Sequence, residues 1–326
     1  MLFIIIFARI NKIATVAMTL WFYLKVKVGK FLANAVSGLI WDRKRRRQLR
    51  SRLDPLNPER CVAYLEKHYA DKVRGARCEV RDAGNEEDFI WVCWLQGLDE
   101  APQLVRNCIH SIAQHKRSQQ RLVLLTADNY DSYVTLPTAI TEKWHQGKIS
   151  NTHFSDLLRI HALSQYGGLW VDATCYQTGP VPASILESPL FLFHSHGEFS
   201  YTLIQSCFIY AKRGHYVLRQ WCAAMDDYWE HENRLINYFT LHLMFIALTR
   251  RDERFAQAFS QIPVMSDEPM HVLLRAMLSG ANYSDALMAE AGSALFIQKL
   301  TYKFSASLLD NPLSVAAYFS QEIGSE

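Results

Sequence analysis

Short blocks of apolar residues alternate with longer stretches of helical periodicity along most of this chain. A short apolar block bounded by turn residues predicts a buried strand, whereas apolar positions recurring at i, i+3 and i+4 predict a helix. On this basis we predict strands at 89–95, 121–126, 169–172, 190–194 and 203–211, and helices at 102–115, 140–145, 153–165, 215–229 and 235–249. Because strands and helices alternate, the pattern indicates an α/β fold with a mostly parallel sheet flanked by helices, followed by a helical last third.

The first fifty residues follow a different pattern. Apolar residues dominate 1–24, but polar and charged side chains interrupt them, and the clean run 13–24 is too short to cross a bilayer core of roughly 30 Å. This region is followed by lysines, then by a second apolar stretch, and then by a basic run at 43–47. We therefore predict a basic amphipathic helical segment at 1–50 that binds an anionic membrane surface peripherally, at the cytoplasmic face. A signal-anchor helix and a helical arm packed on the body are the alternatives.

Composition supports one large domain with an appended N-terminal part. The chain has 326 residues, of which 49% are hydrophobic, and this is enough to bury a large core. We place the membrane-associating segment at 1–50, a helical connector at 51–85 and the main domain at 86–326, after a polar break at 84–88.

Charge is distributed unevenly, although the net charge is only +3. Residues 1–50 contain 11 lysines and arginines against one acid, which leaves 24 basic and 31 acidic residues in the remainder. A basic segment on an acidic body indicates an anionic partner for that segment alone. The basic cluster at 43–50 has no interleaved aromatic residues, so we expect no nucleic acid among the partners.

The cysteines indicate a reducing environment. Their number is odd, no Cys-x-x-Cys pair occurs, and most lie in apolar runs. We therefore expect reduced structural thiols in a protein that faces the cytosol, and neither a disulfide framework nor a zinc site. The seven are Cys61, Cys78, Cys93, Cys108, Cys175, Cys207 and Cys222.

The most informative stretch combines a predicted helix, a glycine turn and a short strand. Asp156 and Arg159 are three residues apart in the helix, so they share one face. Gly167 and Gly168 allow a tight turn, and the apolar strand that follows ends at Asp172. Open α/β sheets bind ligands at the carboxyl ends of their strands, where an acid suits a divalent cation that carries a diphosphate. A surface ion pair and a capping acid are the structural alternatives.

These motifs resemble those of the capsular polysaccharide synthesis family of glycosyltransferases, which has a Ser-Asp-x-x-Arg helix, a Tyr-Gly-Gly turn and Asp-Ala-Thr at the strand end. Further similar segments occur in the family's order at 90–97, 126–130, 147–150, 236–239 with His242, and 299–303. The resemblance covers roughly residues 86–305. It implies a retaining glycosyltransferase with a GT-A-like nucleotide-sugar-binding fold and a divalent metal, Mn²⁺ or Mg²⁺.

The resemblance also implies roles for the residues of the main motif. Asp156 is expected to bind hydroxyls of the donor sugar, and Arg159 to approach the diphosphate, to which a guanidinium donates paired hydrogen bonds. Asp172 and Thr174 form the expected metal site, and Asp172 joins Asp156 and Arg159 as a catalytic residue. Most GT-A enzymes have a second aspartate at the position of Thr174. A hydroxyl is a poorer ligand for a hard cation than a carboxylate, so contact through water is the alternative.

Further residues are expected to contact the donor. They are Trp91, Trp94, Gln96 and Gly97 at the end of the first strand, Gly168 in the turn, Lys299 near the C-terminus, and Asp156 and Arg159 again. Core positions are the alternative for the two tryptophans, and a solvated surface position is the alternative for Lys299. Tyr238 and His242 share one face of the predicted helix 235–249, where they are expected to line the acceptor pocket; a stripe of core residues with one hydrogen-bonded histidine is the alternative.

We therefore expect a hexosyltransferase that moves a sugar from a nucleotide-sugar, with UDP as the expected nucleotide, to a hydroxyl of a glycan or lipid-linked acceptor. The process is the synthesis of capsular or surface polysaccharide. A non-catalytic nucleotide-sugar-binding or glycan-binding protein derived from the same fold is the alternative. Thr174 favours that alternative, whereas the joint presence of Asp156, Arg159 and Asp172 opposes it.

Overall fold

The computed structural model describes residues 56–72 and 88–323, together with 24, 27–32, 34–37, 42, 45, 46, 49 and 54. Much of the predicted segment 1–50 and residues 73–85 of the predicted connector therefore lie outside the described residues. Within the described ranges, no helix combines the length and the apolar character that a bilayer crossing requires.

A five-stranded sheet forms the centre of the fold. Its strands are β1 (Asp88–Cys93), β2 (Gln120–Leu125), β3 (Gly168–Val171), β5 (Leu190–His194) and β6 (Ile204–Ala211), in the order β2-β1-β3-β6-β5. β1 pairs in parallel with β2 and β3, and β6 runs antiparallel to both β3 and β5. Four of the five strands therefore point the same way. A separate antiparallel pair joins β4 (Cys175–Gln177) to β7 (Ile297–Lys299).

Helices cover both faces of this sheet and dominate the last third of the chain. They are α1 (Pro58–Leu65), α2 (Gln103–His115), α3 (Tyr130–Tyr133), α4 (Thr138–His145), α5 (Asn151–Gln165), α6 (Ala183–Leu186), α7 (Tyr216–His231), α8 (Thr240–Arg251), α9 (Glu253–Ser260), α10 (Val272–Ser279), α11 (Asp285–Ala294) and α12 (Val315–Phe319). Short 3₁₀ turns occur at Gly197–Thr202, Glu268–His271 and Ala306–Leu309. The predicted mixed α/β architecture with flanking helices is confirmed.

Two hydrophobic cores lie on opposite faces of the sheet, because side chains alternate along a strand. Trp91 and Trp170 pack in the core beneath α5, α7 and α8. Val92 and Val171 pack in the core covered by α2, α10 and α12. Both faces of the central strands are therefore apolar, and the polar site residues lie at the end of the strands.

The described part of the predicted connector packs on the main domain. Pro58 begins α1, and the Asn57 side chain caps it by accepting from a backbone N–H in the first turn. Leu65 lies in α1, and Tyr69 lies in the π-helical turn Glu66–Ala70 that follows it. Both side chains are buried in the core that contains α8. The Tyr69 hydroxyl also donates to Glu232 Oε1 at 2.9 Å.

The second long helical pattern begins later than predicted. Instead of 235–249, the helix α8 starts at Thr240. Asn237 sets this boundary, because its side-chain oxygen accepts from the Phe239 N–H at 2.9 Å and its carbonyl accepts from the Thr240 hydroxyl at 2.6 Å. Tyr238 is therefore in a turn, and the prediction that it shares a helical face with His242 is wrong.

The thiols agree with the predicted reduced state. Six cysteines lie in the described part of the chain, and all six are free and buried. The seventh, Cys78, lies outside the described residues.

Candidate active site

Asp172 directly follows β3, at the carboxyl end of a central strand, as the sequence predicts. Its backbone N–H donates to the Cys207 carbonyl of β6 at 2.8 Å, and its own carbonyl accepts from the Cys175 N–H at 2.9 Å. Trp170 lies two residues earlier on the same side of the strand. Its indole N–H donates to Asp172 Oδ1 at 2.9 Å. Backbone hydrogen bonds therefore fix the main chain of Asp172, and the Trp170 side chain orients its carboxylate.

Arg159 joins the two predicted acids. Its Nη1 donates to Asp156 Oδ1 at 2.7 Å, and its Nη2 donates to Asp172 Oδ1 at 2.8 Å. The guanidinium carbon lies 5.1 Å from the centroid of the Trp170 ring, a cation–π distance. Only 5% of the Arg159 side chain and 15% of the Asp156 side chain are exposed. The alternative of a solvated surface ion pair is therefore excluded.

Lys299 approaches the same carboxylate from the far end of the chain. Its ammonium donates to Asp172 Oδ2 at 2.8 Å. Two backbone contacts place it there: it pairs with Cys175 in the β4–β7 ladder, and the next residue, Leu300, donates its N–H to the Thr174 carbonyl at 2.8 Å. We define Asp156, Arg159, Asp172 and Lys299 as the charge cluster.

Each member of the charge cluster shifts the pKa of its neighbours. Burial acts to raise the pKa of Asp172, but the Lys299 ammonium and the Arg159 guanidinium outweigh it and hold that pKa well below its usual range. Burial acts to lower the pKa of Lys299, but Asp172 holds it above its usual value. Burial raises the pKa of Asp156, although Arg159 opposes the shift. Asp172 and Lys299 are therefore both charged at neutral pH.

A cavity of about 610 Å³ opens above the charge cluster. This volume is typical of small-molecule sites, which span roughly 300–1,000 Å³. Arg159, Asp172, Thr174 and Lys299 line it, together with Lys303 from the segment after β7. The structure thus brings together residues that are far apart in sequence, at one charged cavity. Asp156 lies outside this wall and contacts Arg159, so its predicted contact with the donor sugar stays a prediction.

Two of the four residues predicted at the end of β1 line this cavity and two do not. Trp94 and Gln96 contribute to its wall, and the Trp94 ring meets the Tyr302 ring edge-on with 5.3 Å between centroids. Trp91 is fully buried, and its indole N–H donates to the Gly167 carbonyl at 2.9 Å. Its predicted donor contact is therefore corrected to a core role, because the strand turns this side chain towards α5 and α7.

The predicted glycines have a backbone role. Gly168 has a φ of +94°, and a Cβ atom placed there would lie 2.4 Å from the Phe89 carbonyl oxygen. It lies outside the cavity wall, and its role in the structure is the close packing of β3 against β1, while its donor contact stays a prediction. Gly97 has a φ of +83° and open space around the Cβ position, and it too lies outside the wall. Its N–H donates to the Trp94 carbonyl at 2.9 Å, which closes a turn.

A second cavity, of about 870 Å³, adjoins the first. Tyr238 lines both, and its side chain is 64% exposed. Tyr201 and Phe239 add aromatic surface to the second cavity, and their rings are 5.6 Å apart. His153 of α5 contacts the Tyr238 backbone carbonyl through Nε2 at 3.2 Å. The turn that carries Tyr238 is therefore tied to the helix that carries Arg159.

His242 was predicted to line an acceptor pocket, but it lines neither cavity. Its Nδ1 atom is buried and has no hydrogen-bond partner among the described residues. Burial, with a smaller contribution from Arg159, lowers its pKa to about 3. The imidazole is therefore neutral at physiological pH.

The residues around Asp172 do not fit the predicted metal. In the described part of the chain, no group of three or more histidine, cysteine, aspartate and glutamate side chains is arranged to hold a metal ion. Both Asp172 oxygens already accept from cationic groups, and the nearby Asp156 faces Arg159. What remains is the Thr174 hydroxyl, a weak ligand for a hard cation. Metal binding by Asp172 and Thr174 stays a prediction, and we derive no step from it.

The sequence pattern does not identify every residue that lines the site. The pattern indicates Trp170 only as part of an apolar strand, although its position two residues before Asp172 places both side chains on the same side of the chain. Tyr302 and Phe199 also line the cavity. No sequence pattern marks Phe199, because a 3₁₀ turn brings it to the site from an otherwise irregular segment.

Comparison with known proteins identifies the family of this chain. The sequence pattern of the capsular polysaccharide synthesis protein family matches residues 44–320, which include the charge cluster and both cavities except for Lys30. The chain belongs to this family. The resemblance inferred from the motifs is thereby confirmed, and it extends beyond the catalytic region that the sequence indicated.

A more distant relative matches part of the chain. The chain is 24% identical over 178 residues to the O-glycosyltransferase braB of Annulohypoxylon truncatum, which covers 49% of this chain and 42% of that protein. The match therefore spans less than half of either chain.

Proposed function

We propose that this protein is a nucleotide-sugar-dependent glycosyltransferase that binds its donor above Asp172, in a GT-A-like arrangement. The observation that carries the proposal is the buried charge cluster under a cavity at the carboxyl end of β3. Family membership supports the same activity. Such a cluster is too elaborate for a surface ion pair and is placed where α/β proteins bind ligands.

The chemistry of the cavity suits a sugar diphosphate. Arg159, Lys299 and Lys303 supply donors for phosphate oxygens, and the guanidinium of Arg159 is held rigidly by its two acids. Asp172 supplies carboxylate oxygens, which are acceptors of the kind that bind sugar hydroxyls. Asp156 lies outside the cavity wall and holds the Arg159 guanidinium. Trp94 supplies an aromatic wall against which a base or sugar ring can stack.

In the proposed reaction, the bond between the anomeric carbon and the diphosphate oxygen breaks, and a bond forms from that carbon to the acceptor oxygen. The acceptor proton passes to the leaving diphosphate. Negative charge grows on the departing group, where fixed cations stabilise it. Asp172 is the carboxylate among the described residues that line the donor cavity, and Arg159 and Lys299 already engage it. A covalent intermediate therefore lacks a free nucleophile, which supports same-face substitution with retention.

The second cavity is suited to the acceptor. It meets the donor cavity at Tyr238, so a chain bound there would present a hydroxyl to the donor. Exposed aromatic rings such as Tyr238 and Tyr201 stack on sugar rings, and Asn57 and Asp54 add polar groups at the wall. Lys30, from the N-terminal segment, also lines this cavity. The acceptor site is therefore next to the segment proposed to bind the membrane, which favours a lipid-linked glycan.

The described residues of the N-terminal segment support membrane attachment. Leu24, Val28, Phe31, Leu32 and Val36 recur at helical spacing and are 46–72% exposed. Lysines accompany these apolar residues, and the cluster at 43–47 follows. An exposed apolar face with neighbouring bases is suited to the surface of an anionic leaflet. We therefore propose that the protein attaches peripherally to the cytoplasmic face of a membrane.

The activity is tested with the full chain, a panel of nucleotide sugars, and glycan and lipid-linked acceptors. We expect release of one nucleoside diphosphate and a product heavier by one sugar. Asp156→Ala and Arg159→Lys should each reduce turnover at least a hundredfold. Asp156 fixes the orientation of the Arg159 guanidinium, and nearby groups cannot replace a bidentate phosphate contact from Arg159. If both variants keep their turnover per folded molecule, the charge cluster is structural.

A non-catalytic nucleotide-sugar-binding protein is the second candidate, and Thr174 is the residue that favours it. The same experiment separates the two. Saturable binding of a nucleotide sugar, with neither nucleotide release nor product for any acceptor, would favour this candidate.

A further inference from the structure

The carboxylate expected to hold a metal is already neutralised by the protein. Asp172 accepts from Lys299 at Oδ2 (2.8 Å), and at Oδ1 from Arg159 (2.8 Å) and the Trp170 indole (2.9 Å). A divalent ion at Asp172 would have to displace the ammonium or lie against two positive groups. Like charges this close repel strongly where water is partly excluded.

Lys299 is positioned to act on a ligand as well as on Asp172. The β4–β7 pairing and the Leu300–Thr174 backbone hydrogen bond fix its main chain. Its side chain is 25% exposed and lines the cavity. An ammonium has three N–H donors, of which one is used by Asp172, so the others can bind phosphate oxygens.

The charges at the cavity also suit a nucleotide sugar without added metal. Arg159, Lys299 and Lys303 are the lysine and arginine side chains on the described wall, and Asp172 is the carboxylate. Asp156 lies outside this wall and pairs with Arg159. Three positive groups against these two carboxylates leave a net positive charge, so the protein itself supplies cations to face the negative diphosphate.

We infer that the Lys299 ammonium takes the place of a divalent metal beside the leaving diphosphate, and that donor binding and transfer proceed without a divalent cation. This inference rests on the proposed function, since it names the group that balances the donor's charge. The bonds broken and formed are those of the proposed reaction. Lys299 stabilises the leaving group as a fixed positive charge and transfers no proton.

The first test measures binding of UDP and GDP to the metal-stripped full chain, by calorimetry, with EDTA, Mg²⁺ or Mn²⁺. We expect one nucleoside diphosphate to bind in EDTA, with affinity changed less than threefold by either metal. Turnover with the matching nucleotide sugar should change as little. Binding or turnover that falls tenfold or more in EDTA and returns with Mn²⁺ or Mg²⁺ would overturn the inference while leaving the glycosyltransferase proposal intact. Absence of nucleotide binding under every condition would overturn both.

The second test changes the lysine itself. Lys299→Met removes the charge and should weaken diphosphate binding at least tenfold in EDTA, whereas Lys299→Arg, which keeps a cation, should stay within about threefold. Lys148→Met is the matched control, because Lys148 is exposed and outside the cavity. Melting temperatures report folding of each variant. A folded Lys299→Met protein that binds diphosphate as tightly as the Lys148→Met control would contradict the inference.

Discussion

Lys299 Nζ lies 2.8 Å from Asp172 Oδ2, although 127 residues separate them in the chain. This contact closes the charge cluster and brings the segment after β7 over the cavity. It also gives Asp172 two cationic neighbours, so this carboxylate has a structural as well as a chemical role. Substitution of Asp172 should therefore affect both stability and transfer.

We expect Asp172→Asn to abolish measurable transfer and to lower the free energy of unfolding by about 2 kcal/mol. An amide keeps part of the hydrogen bonding but leaves Arg159 and Lys299 without their shared anion, and unpaired partly buried charges are costly. Turnover and denaturant unfolding are measured on the same preparation. Near-normal turnover in a folded variant would remove Asp172 from the site.

Tyr238→Ala should raise the KM for the acceptor about tenfold while donor affinity changes little, because an exposed ring at the junction of the cavities has its largest contact with the acceptor. Tyr238→Phe is the control, since it keeps the ring and should retain most of the acceptor affinity. An Ala variant that loses donor affinity instead would place Tyr238 at the donor.

Gly168→Ala should destabilise the fold by several kcal/mol, on the order of 3 kcal/mol or more. A Cβ atom there would lie 2.4 Å from the backbone oxygen of Phe89, in addition to the strain of a φ of +94°. Gly97→Ala shares a positive φ but meets no atom within 4 Å, so it should cost only about 1 kcal/mol. Chemical denaturation of both variants checks the difference, and equal costs would show that the close approach of β3 to β1 is unimportant.

Acid should destabilise the protein partly through His242. Burial lowers the pKa of this histidine from 6.5 to about 3, so between these pH values the unfolded chain binds a proton that the folded chain does not. Stability is therefore fully present above about pH 6.5 and falls as the pH drops towards 3, by at most about 1.4 kcal/mol per pH unit for this group. His242→Gln should flatten the profile of unfolding free energy over that interval. Parallel profiles for the two proteins would contradict the assignment.

Membrane attachment should depend on charge. The full chain is expected to co-sediment with anionic vesicles more than with neutral ones, and to be released by salt, because bases near a surface contribute about 1 kcal/mol each and salt screens them. A chain beginning near Ser51 is the control and should stay unbound. Equal binding to both kinds of vesicle, unaffected by salt, would indicate a spanning helix. No binding at all would indicate a packing arm.

The sequence by itself determined the α/β class, most strand positions and the family. Periodicity reports local burial, and the order of motifs is a property of the chain, so neither requires coordinates. Asp156, Arg159 and Asp172 could be chosen because they lie within seventeen consecutive residues, on a helix and the strand that follows it. The start of α8 was misplaced because a side-chain hydrogen bond from Asn237 overrides the helical pattern at that point.

Only the tertiary structure shows which side chains from distant parts of the sequence contact one another. From the sequence, Trp91 and Trp94 had the same two interpretations, a core position or a donor contact. In the structure Trp91 is in the core and Trp94 lines the cavity. The alternation of side chains along a strand shows which residues share a side, but not which side faces a ligand. Gly168 is required by the close approach of another strand, which no local pattern reveals. The pairing of Lys299 with Asp172 comes from the β4–β7 ladder, a contact between distant segments. Contacts of this kind are set by how the elements pack against one another, and periodicity carries no information about that packing.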